Sequence, residues 1–489
     1  MTSAHLRFKP PFDLNDVRIA ARKLLGVKLL LPAVEIELRL AVAGYHDRLR
    51  SLASAGMAGG RKQHMALRRV ETSPAARLIA FVLANGKGKR ITPMTWAAIK
   101  AEAVGVNLRK PSGEVVLATE RLKRSGGTRW TCSFGPRARA AQRMVEHIIY
   151  VVAGPSRYEH ARRGRGRETA VRETLHSIDM KGVRWIGLLD VKDFFPSVTR
   201  EMVKEVLSFL PQSIIDATIF IHDDTEIKLK GLYGDKDTTS SALAIRKGLS
   251  QGSLASILVA GKVLERHLDK IDARHAVSFV DNVLIGGKTQ EEVQAKRTAL
   301  ATSLEGHPSG SLRLTGEIYK LGDHAMDYLG YRFRREWLNP ERRIGRATHS
   351  ERSRRAFYTR LAAKLLLANR RCREATIDKE CARWVRSFPQ WRTRYVNEAT
   401  AAIAAEVDLV PMLDSAHAAI CGAKMKWSSF ADLADCVSGL AVRIGNAMPR
   451  LHTKGGAPSF ERTLPDATPW ERFEALLRQG AKNIVIPAG

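Results

Sequence analysis

Trp185-Ile186-Gly187-Leu188-Leu189-Asp190-Val191-Lys192-Asp193-Phe194-Phe195-Pro196-Ser197 is an apolar run that stops at an acidic residue, and Ala276-Val277-Ser278-Phe279-Val280-Asp281-Asn282-Val283-Leu284-Ile285-Gly286 is a pair of apolar arms around a second one. An unbroken apolar run suits a buried strand, with Asp190 at its end where the carboxylate reaches a cleft. The second stretch reads as a β-hairpin. Asp and Asn tolerate positive φ, so the pair Asp281-Asn282 is predicted to fill a type I′ turn with Asp281 at the tip. Two carboxylates side by side are what two-metal phosphoryl transfer requires, because ions about 3.5–4 Å apart must clamp the attacking and leaving oxygens. An Asp at a strand end or in a turn is commonplace by itself. Their order and the sequence between them give the pair its meaning.

Between them lies Arg246-Lys247-Gly248-Leu249-Ser250-Gln251-Gly252-Ser253-Leu254-Ala255-Ser256, a Gly- and Ser-rich turn that runs into an apolar helix over 257–268. Small residues let a nucleotide and a template base approach the backbone, and a helix N-terminus favours phosphate. Upstream, residues 114–122 and 129–134 are strand-like runs flanking Ser125-Gly126-Gly127-Thr128, a hairpin signal. Residues 121–170 carry 12 Lys/Arg against 3 Asp/Glu, including the cluster Arg162-Arg163-Gly164-Arg165-Gly166-Arg167. That excess is too large for solubility alone. Beyond Tyr331 the pattern is read as helical, with Phe357, Leu361 and Leu365 on one face and Arg354, Arg355, Arg360 and Lys364 on others. Residues 331–400 hold 19 Lys/Arg and 7 Asp/Glu, interleaved with Trp384, Phe388, Trp391 and Tyr395, which are read as internal packing.

The totals bound the class. With 489 residues and 44% hydrophobic content the chain has material for two to four domains, so a single small binding module is excluded. The formal charge of +30 calls for a polyanionic partner, nucleic acid first. A membrane reading fails: residues 24–43, the most apolar early stretch, are interrupted by Lys28, Pro32, Glu35, Glu37 and Arg39. Met1-Thr2-Ser3-Ala4-His5 opens no secretion signal, so a cytoplasmic location is expected. Five scattered cysteines (Cys132, Cys372, Cys381, Cys421, Cys436) form neither a disulfide framework nor a Cys-x-x-Cys zinc site. Residues 1–110 show helical spacing and no chemistry, Gly286-Gly287-Lys288-Thr289 is a chance imitation of a phosphate loop, and His222-Asp223-Asp224 reads as a polar surface loop.

Taken as a set, the segments around Asp190, Gln251 and Asp281 resemble the A, B and C motifs of reverse transcriptases. The likeness extends upstream to Lys123–Gln142, similar to a fingers hairpin and its helix, and to Tyr158–Ala170, similar to the arginine-rich segment before motif A. Downstream, Leu312–Lys320 resembles motif D, and Tyr328-Leu329-Gly330-Tyr331 resembles the Leu-Gly grip on the primer. In texture the chain is most similar to bacterial retron, group II intron and abortive-infection or defence-associated reverse transcriptases.

The resemblance implies an α+β right-hand polymerase with a ferredoxin-like palm, fingers and a helical thumb. Its organisation would be a mainly helical N-terminal extension over 1–110, fingers and palm over 111–340, a basic helical thumb over 341–400 and a C-terminal extension over 401–489. It implies that Asp190 and Asp281 hold Mg²⁺, with Mn²⁺ as the alternative ion and the Val191 carbonyl as an extra ligand. Phe195 stands where relatives place the bulky gate against a ribose 2′-OH, which favours dNTPs. Gln251 and Gly252 are expected against the template strand and incoming base, Arg129 and Lys123 on the triphosphate, and Lys320 as the proton donor to pyrophosphate. One departure is Asn282, where relatives carry a second Asp; it supplies an oxygen without charge. The partners implied are RNA as template or structured non-coding RNA, and a DNA product, in antiphage defence. A group II intron-type maturase and a catalytically silent RNA-binding protein are the alternatives, and a homo-oligomer is left open.

Overall fold

In a computed structural model of the chain, the residues described run from 8 to 349 apart from 57–59, 87–91, 123–127, 163, 181, 232–237, 272, 322–325 and 340–341. They divide into two compact units, one ending at Leu321 and one holding the strands beyond it.

The first unit opens with α1 (Leu14–Leu25), α2 (Pro32–Gly56), α3 (Gly60–Glu71), α4 (Pro74–Asn85) and α5 (Trp96–Val104). Local chemistry sets their ends. Asp13 and Asp16 form a reciprocal capping box before α1, which stops at Gly26 with φ 69°. Ser73 accepts from the Ala76 amide and Pro74 occupies the first position of α4. The residues of α4 are apolar almost all round the helix and mostly buried, so it is the axis of this bundle. It packs on α1, α2, α5 and on α6 (Pro136–Val152), and a single core runs from Phe12 through Met144 to Leu314. Buried Glu71 takes both guanidinium arms of Arg109 at 2.8 Å, tying the end of α3 to the segment that leads into the strands.

Next come β1 (Val116–Leu122) and β2 (Thr128–Ser133), antiparallel with Leu122 opposite Thr128, as the Gly-Gly signal implied. After α6 follow α7 (Arg167–Met180), β3 (Trp185–Val191), and the short helices α8 (Phe194–Ser197), α9 (Arg200–Val206) and α10 (Gln212–Ile214), the last running into a π-helical turn over Ile215–Ile219. β4 (Ile227–Lys230) lies parallel to β1, giving a small sheet of order β2-β1-β4. The unit closes with α11 (Thr238–Lys247), α12 (Ser256–Leu268), β5 (Val277–Phe279), β6 (Asn282–Gly287), α13 (Gln290–Glu305) and β7 (Leu314–Lys320).

The sheet that positions the site has the order β5-β6-β3-β7 with every neighbour antiparallel. Helices separate β3 from β5 and β6 from β7, a β-α-β-β-α-β arrangement within a mixed α+β unit. β3 lies between β6 and β7, and it lacks polar alternation because its apolar side chains are buried on both faces, Ile186 on one and Leu189 and Val191 on the other. Helix α13 packs on β3, β6 and β7. Gly187 and Gly287 make room for it, since a Cβ on either would stand 3.2 and 2.8 Å from Val293. At Gly316, with φ 131°, an added Cβ would meet the Leu188 carbonyl oxygen at 2.1 Å, so only glycine lets β7 lie this close to β3.

The second unit holds β8 (Met326–Tyr328), β9 (Tyr331–Asn339) and β10 (Arg342–His349), an antiparallel sheet of order β10-β9-β8. This corrects the helical reading just beyond Tyr331. Tyr331-Arg332-Phe333-Arg334 alternates with period two and buries Tyr331 and Phe333; the helical spacing cited for this region begins only at Phe357. The thumb and C-terminal extension, with their aromatics and Cys372, Cys381, Cys421 and Cys436, lie outside the described residues apart from the strand β10. Among the described residues no helix is long and apolar enough to cross a membrane.

Candidate active site

The pairing register places the two acids. Asp190 lies opposite Asn282 on β6 and Thr315 on β7, and the Val191 amide donates to the Asp281 carbonyl at 2.9 Å. Cross-strand partners project to the same face of a sheet, so Asp190 and Asn282 share one. The Asn282 amide donates to Asp281 Oδ1 at 2.8 Å, which draws the second carboxylate to the same end of the β3–β6 pair. Asp190, Asp281 and Asn282 are each half-buried beside buried Leu189, Val191 and Val283. The Val191 side chain is buried in the core.

The hairpin differs by one residue from the sequence reading. Phe279 pairs with Asn282, so the turn is Val280-Asp281 and Asn282 is already in β6. Val280 has φ 62°, and of the two turn residues it alone is positive, the pattern of a type II′ turn and not type I′. A β-branched residue is costly in that region, by about 1–3 kcal/mol. The gain is that Asn282 meets Asp190 in register.

The Gly-Ser-rich turn is fastened to both neighbours through its main chain. The Leu249 amide donates to the Phe195 carbonyl at 2.8 Å, and the Cys132 amide on β2 donates to the Gln251 carbonyl at 2.7 Å. Two glycines permit this: a Cβ on Gly248 would stand 2.4 Å from the Phe195 carbonyl oxygen, and one on Gly252, at φ 124°, 2.0 Å from that of Cys132. The segments after Asp190, around Gln251 and on β2 are therefore hydrogen-bonded in series. Gln251 is half-buried and Gly252 exposed. Arg129, exposed on β2, faces Arg121 on β1, and among the described residues no acidic side chain pairs with either. Like charges held directly opposite are unfavourable and invite an anion. Arg121 escaped the sequence reading because only the strand register reveals it. Lys123 lies outside the described residues.

Two assignments change. Lys320 pairs with Trp185, five residues along β7 from Thr315, and its ammonium lies 6.0 Å from the centre of the Trp185 ring. At about 3.4 Å per residue this is roughly 17 Å from the Asp190 level, so Lys320 is not brought to the site. The cations at the carboxylate end are exposed Lys192 and Arg313, joined by a 2.9 Å main-chain hydrogen bond. Phe195 is only 9% exposed and packs edge-on against Phe194 in the core. Its ring is thus a packing element where the sequence suggested a gate. Phe195→Ala is expected to cost about 3 kcal/mol of folding stability in a denaturant titration; unchanged stability with new acceptance of ribonucleotides would restore the gate.

An oxygen-only donor set suits Mg²⁺ or Mn²⁺ and not zinc. Among the described residues no three His, Cys, Asp or Glu side chains gather as a metal cage. Mg²⁺ needs none, since it is commonly held by one or two carboxylates, waters and the substrate's own phosphates. His222 and Asp223 line a polar surface pocket with Arg200, Glu201, Lys204 and Asp216. Burial pushes the Cys132 thiol up to about 11, so it is a packing residue, not a nucleophile.

No protein-family model matches the chain, and no curated protein matches it. Among solved structures it is similar to apo telomerase from Candida Tropicalis truncated from the C-terminal domain, at 13% identity over 49% of this chain and 56% of that one, with a TM-score of 0.31. It is also similar to the Sicinivirus 3Dpol RNA-dependent RNA polymerase, at 14% identity over 91% of this chain and 87% of that one, with a TM-score of 0.38.

Proposed function

We propose that the chain is a nucleic-acid polymerase of the reverse transcriptase type, adding dNTPs to a hydroxyl with release of pyrophosphate. What supports this reading is that Asp190 ends β3 opposite Asn282 while the Val191 amide bonds the Asp281 carbonyl, so both acids come from adjoining backbone at one end of a β-α-β-β-α-β sheet, the strand order expected of a ferredoxin-like palm. On this reading β1, β2 and α6 are the fingers, and the N-terminal helices buttress them through α4. Asp190, Asp281 and the Val191 carbonyl hold Mg²⁺ or Mn²⁺, which supplies charge neutralisation at the transferring phosphoryl group. Arg129, with Arg121 opposite, takes the triphosphate. Gln251 and Gly252 bear on the template and incoming base. Asn282 orients the Asp281 carboxylate through its amide, a task an Asp at 282 would not perform.

The charge of +30 supports a nucleic-acid partner, RNA as template or scaffold with DNA as product. Antiphage defence with a structured non-coding RNA is the biological setting that the sequence resemblance favours. The test is to sequence the nucleic acid that co-purifies with the full chain and to supply Mg²⁺ and labelled dNTPs with and without an RNA template and primer. DNA product is expected. Bound RNA without product under any of these conditions would instead identify a silent RNA-binding protein, and bound intron RNA a maturase.

A further inference from the structure

On the polymerase reading above, we infer that Glu159 is a positioning residue that holds the strained turn carrying Asp281. The segment before the arginine cluster lies along the free edge of β5: the Ser278 amide donates to the Tyr158 carbonyl at 2.8 Å and the His160 amide to the Ser278 carbonyl at 2.9 Å. This brings the Glu159 carboxylate against the turn. Its two oxygens accept from the Val280 amide at 3.1 and 3.3 Å, one of them from the Ser278 hydroxyl at 3.3 Å and the other from the Ala161 amide. Gly261 on α12 leaves it space, since a Cβ there would stand 3.2 Å from Glu159 Cγ.

Glu159 is 2% exposed; the donors to its carboxylate are the neutral Val280 and Ala161 amides and the Ser278 hydroxyl, while the Arg162 guanidinium donates to its main-chain carbonyl at 3.1 Å. Burying a carboxylate is costly, and burial does push this carboxyl above the usual range, so packing alone would be better served by an apolar residue. The donors explain its presence. In a two-residue hairpin turn the amide of the first central residue takes no part in the hydrogen bond that closes the turn. Here that residue is Val280, whose φ of 62° a β-branched side chain resists. The carboxylate grips this amide from both oxygens and so keeps the peptide from turning toward an ordinary φ, which would carry Asp281 with it.

The test uses the full chain, Mn²⁺ alone as probe by electron paramagnetic resonance, and the Mg²⁺ requirement of dNTP incorporation. Glu159→Ala is expected to weaken Mn²⁺ binding at Asp281 by about tenfold or more, in line with other residues that orient a metal's ligand. Glu159→Gln, which keeps the volume and one acceptor, is expected to fall between it and the wild type. Adding Val280→Gly, which accepts φ 62° without strain, is expected to recover most of the loss. Wild-type Mn²⁺ affinity and Mg²⁺ requirement in both Glu159 variants would overturn the inference, as would failure of Val280→Gly to recover any binding. If the wild type binds no more Mn²⁺ than Asp281→Ala, the metal site itself is refuted, an outcome distinct from the others.

Discussion

On the polymerase reading, Asp281→Ala and Asp190→Ala are each expected to remove Mg²⁺-dependent nucleotide addition almost completely, by about a thousandfold or more. The scale follows from the several kcal/mol that a bound metal contributes to transition-state charge stabilisation, at about 1.4 kcal/mol per tenfold in rate. Asp190 ends β3 opposite Asn282, and Asp281 lies in the adjoining turn with its carbonyl bonded to the Val191 amide and its carboxylate to the Asn282 amide, so on the polymerase reading the two act as a unit, and the double variant is expected to be little worse than either single one. Lys320→Ala, at the far end of β7, leaves the rate unchanged and serves as the control for nonspecific damage. Steady-state dNTP incorporation measures all of these. An Asp281→Ala protein that still extends primers refutes the assignment.

Gly316→Ala is expected to lose about 3 kcal/mol of stability, the largest effect of a single added methyl group in this sheet. Two terms combine. A φ of 131° lies where L side chains are strained, and the new Cβ would stand 2.1 Å from the Leu188 carbonyl oxygen, a backbone atom that β3 cannot withdraw while paired to β6. The damage reaches the site because Thr315, the next residue, donates its hydroxyl to the Asp190 carbonyl at 3.2 Å. A urea titration should show a lower midpoint with unchanged slope. Stability within about 0.5 kcal/mol of the wild type, the range of an ordinary surface change, would mean that β3 and β7 are not in this contact.

Much of this molecule is legible residue by residue. The unbroken apolar run before Asp190 reads as the interior strand it is, with Ile186 buried on one face and Leu189 and Val191 on the other. The Gly-Gly signal yields the β1–β2 hairpin, and the small residues of Gly248–Ser256 lead into α12. The pairing of Asp190 with the Asp281 hairpin is legible too, from the chemistry two carboxylates serve.

Register is what the chain alone did not disclose. Asp281-Asn282 suits a type I′ turn, yet such local preferences are worth little beside the packing and hydrogen bonds of β6 against β3, and a slip of one residue puts the strain on Val280. The distance of Lys320 from the acids, the face-to-face Arg121 and Arg129, and the burial of Phe195 all depend on which residues end up opposite which. Glu159 in the sequence is one acid at the head of an arginine run; only the apposition of that run with β5 makes it a clamp. The sequence by itself determined most of the elements before Tyr331 and nominated the two acids, because periodicity and side-chain chemistry are local; it read as helix the stretch that forms β9 and β10. Tertiary structure alone decided the register that aims them, because hydrogen bonds between strands form among residues far apart in the chain.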